Sequence, residues 1–489
     1  MNRFIFLLFS LTIWLQSHSQ QWVSENYEYT SIIDLEYGSA ENFLGTTVPL
    51  HLDLYLPICE GPNEDSKTPL VIFIHGGSFL AGDKSETTIT DLAKSFAKRG
   101  YAAASINYRL GFVNDDGLNQ CNFPNYPCFV AADSAEWYRA YYRAVQDAKG
   151  ALRFLVNRHL DFKLDPSNIF VAGESAGAFI SMGVALLDVE SEKYSQCNAL
   201  SGLSLPNANT FSCPHNLNQT FPGGIIPRPD LGSIEGTIEP TSIPYNIKGV
   251  GNFFGGMFSN LLALNDPTKP KPAIYQFHQP CDLIVPFETG KVYSGMNWCF
   301  TNGYGCNAIG NVPIINGSKQ ISNWNINNAH GYAIQDNFTT TPFPYEYFGF
   351  QPRNCYDQVV NGNGCHQYDS YTNRKNQLVS FFAPLVTTNP ICEPVLSISD
   401  VEGDPTNKFD IYPNPFTNEI SITSQVFAEF VIKDLFGRMI SKGRITPGTN
   451  NLKISTNNAN EGQLDNGVYF LVLTVDNESI VKKLIRKNE

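Results

Sequence analysis

The residue with the clearest chemical potential is a serine. Ser175 lies within Gly173-Glu174-Ser175-Ala176-Gly177, after the apolar run Ile169 to Ala172 and before small and apolar residues at helix-compatible spacing. A strand, a sharp turn and a helix in that order would hold the hydroxyl at the C-terminal edge of a sheet, on a strained backbone. Side chains two residues either side would collide there, so glycines supply the room. An exposed serine becomes a nucleophile once a base takes its proton and an acid orients that base.

A second pattern lies about a hundred residues upstream. Leu70 to Ile74 are five consecutive apolar residues that fit a strand buried on both faces, and they run into His75-Gly76-Gly77-Ser78. Glycines just past a central strand let backbone amides approach a reacting oxygen. In acyl transfer such amides hold the tetrahedral oxyanion, and losing one donor costs about 3 to 4 kcal/mol.

The elements around these motifs alternate. Leu92 and Phe96 mark a short helix stopped at Gly100, and Tyr101 to Tyr108 read as the next strand. From Asp133, the steps Trp137, Tyr141, Val145, Ala148, Leu152 and Leu155 predict one long helix leading to the serine strand. The fold class is therefore α/β, a mostly parallel sheet with helices on both faces. Residues 190 to 270 lose periodicity and read as an insertion, either a lid or a disulfide-pinned loop. Pro272 to His278 read as a further core strand, followed by Asp282 in its C-terminal loop, and a helix is expected around Asn376 to Leu385.

Asp282 is the preferred acid, with Asp266 and Glu288 as alternates, and His278 is read as structural. With acid and then base following the serine, only His330 and His366 remain among eight histidines. His330, in a small-residue loop, is preferred over His366, which adjoins Cys365.

His75-Gly76-Gly77, Asn107-Tyr108-Arg109-Leu110, Gly173 to Gly177 and Asp282-x-x-Val285-Pro286 together resemble the carboxylesterase branch of the α/β-hydrolase superfamily, across about residues 40 to 387. The resemblance implies Ser175 as nucleophile, Asp282 as acid and His330 as base. It implies oxyanion amides from Gly77, Ser78 and Ala176, with Gly76 as a substitute. Ser78 stands where that family often has a third glycine. The implied function is hydrolysis of carboxylic esters, small or polysaccharide-linked, including acetyl or feruloyl decorations, through an acyl-enzyme.

Length and composition frame this. The chain has 489 residues, enough for two or three domains. Residues 1–20, with Arg3, an apolar stretch and a small polar exit, read as a signal peptide. No later segment is long and apolar enough to span a membrane. Eleven cysteines suit an oxidising compartment and suggest local disulfides such as Cys197 with Cys213 or Cys355 with Cys365. No Cys-x-x-Cys occurs, which argues against a zinc site, and no metal or cofactor is expected. A net charge of −13 argues against nucleic acid as a partner.

The hydrolase-like domain is placed at 21–395 and a linker at 396–407. Residues 408–489 lack cysteine and carry short alternating strands, an all-β sandwich. Tyr412 to Phe416, Asp434 to Arg438, Gly467 to Phe470 and Lys482 to Ile485 resemble the C-terminal sorting domain of the type IX secretion system of Bacteroidota. That implies the secretion machinery as a partner and a secreted or surface location. Two rival readings are a prolyl-oligopeptidase-type peptidase, for whose propeller no room exists before His75, and a non-catalytic binding protein on the same scaffold.

Overall fold

The computed structural model describes residues 22–58, 67–113, 133–205, 224–263, 269–292, 312–340, 365–388, 409–434, 439–454, 467–475 and 478–487. The expected signal peptide and linker lie outside them. The chain divides into two units, Met1–Leu396 and Ser397–Glu489.

The first unit is built on an eight-stranded sheet. Its strands are β1 (Tyr29–Glu41), β2 (Thr47–Pro57), β3 (Thr68–Ile74), β4 (Ala102–Ile106), β5 (Leu164–Glu174), β6 (Ile247–Phe253), β7 (Ala273–His278) and β8 (Ile334–Phe338). Their spatial order is β1-β2-β4-β3-β5-β6-β7-β8. The pairs β1–β2 and β2–β4 are antiparallel, and every pair from β4 to β8 is parallel.

Helices α1 (Thr87–Ala97), α2 (Ala135–Asn157), α3 (Ala176–Leu186), α4 (Ser318–Asn327) and α5 (Tyr371–Phe382) accompany the sheet. Strand β3 shows why it must be covered twice. Leu70, Ile72 and Ile74 join the core under α2 and α3, while Val71 and Phe73 join the core under α1 and α5. Burying each such side chain contributes about 2 kcal/mol.

Of the three sheet strands after Ser175, two escape the sequence reading. Strand β6 lies within the range read as an insertion, at residues 247 to 253, and contains Gly249 and Gly251. A Cβ on Gly249 would lie 2.9 Å from Phe382 and one on Gly251 2.8 Å from Leu378, so close packing of α5 replaces apolar periodicity with glycine. Strand β8 reads Ile-Gln-Asp-Asn-Phe and sits at the sheet edge, where polar residues are tolerated.

The second unit has a three-stranded sheet, Phe409–Tyr412, Glu419–Ser424 and Gly448–Lys453. A four-stranded sheet is formed by Ala428–Asp434, Met439–Ile445, Gly467–Val475 and Glu478–Arg486. Alternate residues such as Ile420, Ile422, Phe430, Ile432, Leu471 and Leu473 form its core.

Candidate active site

Ser175 occupies the turn between β5 and α3 with φ 54° and ψ −122°, a left-handed conformation costly for a residue with a Cβ. Its amide donates to the Phe253 carbonyl at 3.0 Å, which ties the turn to the end of β6. A Cβ on Gly173 would lie 2.4 Å from the Gly177 carbonyl group, and one on Gly177 would lie 2.0 Å from the Ile74 carbonyl oxygen. Both glycines are therefore required by close backbone approach.

The serine does not stand alone. Its Oγ lies 2.7 Å from His366 Nε2, and His366 Nδ1 lies 2.7 Å from Asp282 Oδ2. Asp282 follows β7, with its side chain fully buried. Its Oδ1 accepts the amides of Ile284 at 2.8 Å and Val285 at 2.9 Å. Burial by itself would raise this carboxyl. The charge of His366, with hydrogen bonds from His278 and His366, outweighs burial and holds the pKa at about 2. An ionised Asp282 makes His366 Nδ1 the donor, so Nε2 is left to accept the Ser175 proton. The arrangement can move a proton off Ser175 and stabilise the imidazolium that results.

His330, the expected base, is not part of this cluster. It precedes β8, and its Nε2 lies 3.4 Å from Asn260 Nδ2 while its carbonyl accepts from Lys271. The reason is directional. Ser175 follows β5 and Asp282 follows β7, both at the C-terminal ends of parallel strands. A residue just before parallel strand β8 is delivered to the opposite edge, and one after it to the edge that holds the serine. Recognising Ile334–Phe338 as a strand would have turned the choice to His366.

His278 and the cysteines complete the surroundings of the site. His278, taken as structural, is fully buried, and its Nε2 lies 3.1 Å from Asp282 Oδ2 and 3.2 Å from the Val285 carbonyl. Its Nδ1 lies 3.0 Å from Ser318 Oγ. Cys365 pairs with Cys281, 84 residues away, and not with Cys355. Cys197 is free and buried, so the pairing with Cys213 does not form either. The remaining cysteines named in the sequence analysis lie outside the described residues.

The loop after β3 approaches the serine from the other side. A Cβ on Gly76 would lie 3.2 Å from Ser175 Cβ. Gly77 has φ 99°, and its carbonyl accepts the amides of Leu80 and Ala81. His75 stacks on Tyr108 at 4.4 Å, with Nδ1 2.9 Å from the Gly76 carbonyl. Among the described residues no cluster of side chains is arranged to hold a metal ion.

Three comparisons bear on this geometry. Residues 139–221 match the family model for the alpha/beta hydrolase fold, residues 52–116 match the BD-FAE model, and residues 410–487 match the secretion system C-terminal sorting domain. The chain is an α/β-hydrolase-fold protein followed by a sorting domain of the type IX route, which indicates export to the cell surface or beyond.

Among curated proteins, isoprenylcysteine alpha-carbonyl methylesterase ICME of Arabidopsis thaliana is 30% identical over 257 residues, 50% of this chain and 48% of that protein. Neuroligin-like protein glit-1 of Caenorhabditis elegans is 28% identical over 165 residues, 32% and 20% of the two chains. The chain thus spans no more than about half the length of these relatives. Among solved structures, a truncated form of carbohydrate esterase from gut microbiota is 16% identical, with a TM-score of 0.36, over 74% of this chain and 98% of that one.

Proposed function

We propose that the protein is an exported carboxylic ester hydrolase in which Ser175 is the nucleophile, His366 the general base and Asp282 the acid. The observation that carries this is the pair of 2.7 Å contacts joining Ser175 Oγ, His366 and Asp282 in line. Similarity to proteins named as esterases supports the reaction class.

In the first stage His366 Nε2 takes the Ser175 proton as Oγ attacks the ester carbonyl, and the amides of Gly77, Ser78 and Ala176 are the donors assigned to the developing oxyanion. The imidazolium gives its proton to the departing alcohol. In the second stage a water deprotonated by His366 attacks the acyl-enzyme and releases the acid. The substrates proposed are acetyl or feruloyl esters carried by plant polysaccharides, and the sorting domain is the handle taken by the secretion machinery.

The test is turnover of p-nitrophenyl acetate, methyl ferulate and acetylated xylan by wild type, Ser175→Ala, His366→Ala and His330→Ala. The first two variants should lose at least about 10³-fold in kcat, while His330→Ala stays within about twofold of wild type. Activity surviving Ser175→Ala would sink the reaction class. Cleavage of a prolyl peptide amide in preference to every ester would instead favour a peptidase.

A further inference from the structure

We propose that the Cys281–Cys365 disulfide is a positioning element of this site: it sets the His366 ring between Asp282 and Ser175, so turnover depends on the bond having formed. The inference rests on the hydrolase reading above. Each cysteine immediately precedes one member of the cluster, Cys281 before Asp282 and Cys365 before His366. The bond therefore joins the acid and the base through their own backbones, with Cα atoms 5.7 Å apart.

His366 needs such a tie because no helix or strand carries it. It lies in the irregular stretch before α5 begins at Tyr371. Other fixings are non-covalent. Gln279 Nε2 donates to the carbonyls of Cys365 at 3.3 Å and Gln367 at 2.9 Å, one on each side of the histidine. Tyr368 donates to Glu174 Oε2 at 3.1 Å, and the Phe254 ring meets the imidazole edge-on at 4.9 Å. Gln279 and Cys281 leave the same turn after β7, so that turn grips the base loop twice. Closing a span of 84 residues removes many arrangements in which the base and the acid are apart.

Formation is thiol–disulfide exchange. Two cysteine thiols give up two protons and two electrons, the S–S bond forms, and a disulfide-bearing oxidant of the export compartment is reduced to two thiols. A chain still in a reducing cytoplasm would fold around an unset base.

The experiment compares full-length wild type, Cys281→Ala/Cys365→Ala and Ser175→Ala on p-nitrophenyl acetate, with a thermal melt of each. A displacement of about 1 Å in a catalytic group costs on the order of 10²-fold. The double variant should show a kcat fall of about that size with KM within about threefold of wild type and a cooperative melt. A double variant that melts lower but keeps wild-type kcat at 20 °C overturns the proposal, since the bond then acts only on stability. Should the double variant fail to fold, wild type is titrated with a phosphine reductant while alkylation and mass spectrometry follow the two thiols. Activity lost in step with these thiols and regained on reoxidation supports the proposal, and full activity with both alkylated overturns it. Oxidised wild type no faster than Ser175→Ala would overturn the hydrolase reading itself.

Discussion

Asp282 carries more partners than an acid serving a single histidine needs. Its Oδ2 faces both His366 and His278, and since the Val285 carbonyl also faces His278 Nε2, that nitrogen must carry the hydrogen. His278 Nδ1 lies 3.0 Å from the Ser318 Oγ. A carboxylate so fixed keeps one orientation toward His366. His75 shows the opposite electrostatics: burial leaves it neutral, with its pKa lowered from 6.5 to about 4. The unfolded chain therefore binds more protons between those values. Its contribution to stability is full above pH 6.5 and falls by about 3 kcal/mol as the pH drops to 4. Denaturant midpoints across that interval should decline for wild type and decline less for His75→Gln. Parallel curves would remove His75 as the cause.

At the scale of elements, α2 is informative because it is buried on its polar side as well as its apolar one. Arg139 donates to the carbonyls of Gln196, Asn198 and Pro229, and Gln146 donates to those of Leu231 and Ser233. Arg153 reaches the carbonyls of Ile238 and Glu239. Within the segment read as an insertion, residues 196–198 and 229–239 lie outside the strands Leu200–Leu205, Gly224–Arg228 and Ile247–Phe253, and carbonyls there take donors from this helix. These residues cover the polar side of α2. Arg139→Met should cost about 3 kcal/mol, because buried carbonyls lose their donor. Urea unfolding of that variant checks the figure, and a loss below about 0.5 kcal/mol would show the segment pairs its carbonyls otherwise.

At the scale of the molecule, the proposed catalytic groups and the sorting domain lie in separate units. Ser175, His366 and Asp282 lie in Met1–Leu396, and the sorting-domain match lies in Ser397–Glu489, with its own core. Deleting residues 408–489 should leave kcat/KM within about twofold and abolish delivery to the surface of the native host. Fractionation of the host cells reads the second effect, and normal delivery of the truncated chain would contradict the sorting role. No helix among the described residues is long and apolar enough to cross a membrane.

What the sequence determined by itself is whatever depends on neighbours along the chain. The spacing of Gly173 and Gly177 around Ser175 reports sterics within one turn. The apolar run of β3 reports burial on two faces, and the place of Asp282 follows from the strand before it. The α/β-hydrolase fold was legible for the same reason. Tertiary structure decided which histidine and which cysteines meet. His366 is 191 residues from Ser175, and Cys365 is 84 from Cys281, so their meeting depends on strand order and direction across the sheet. The two strands that fix that order at its far side, β6 and β8, carry glycine and polar residues where a periodic apolar signal would have announced them.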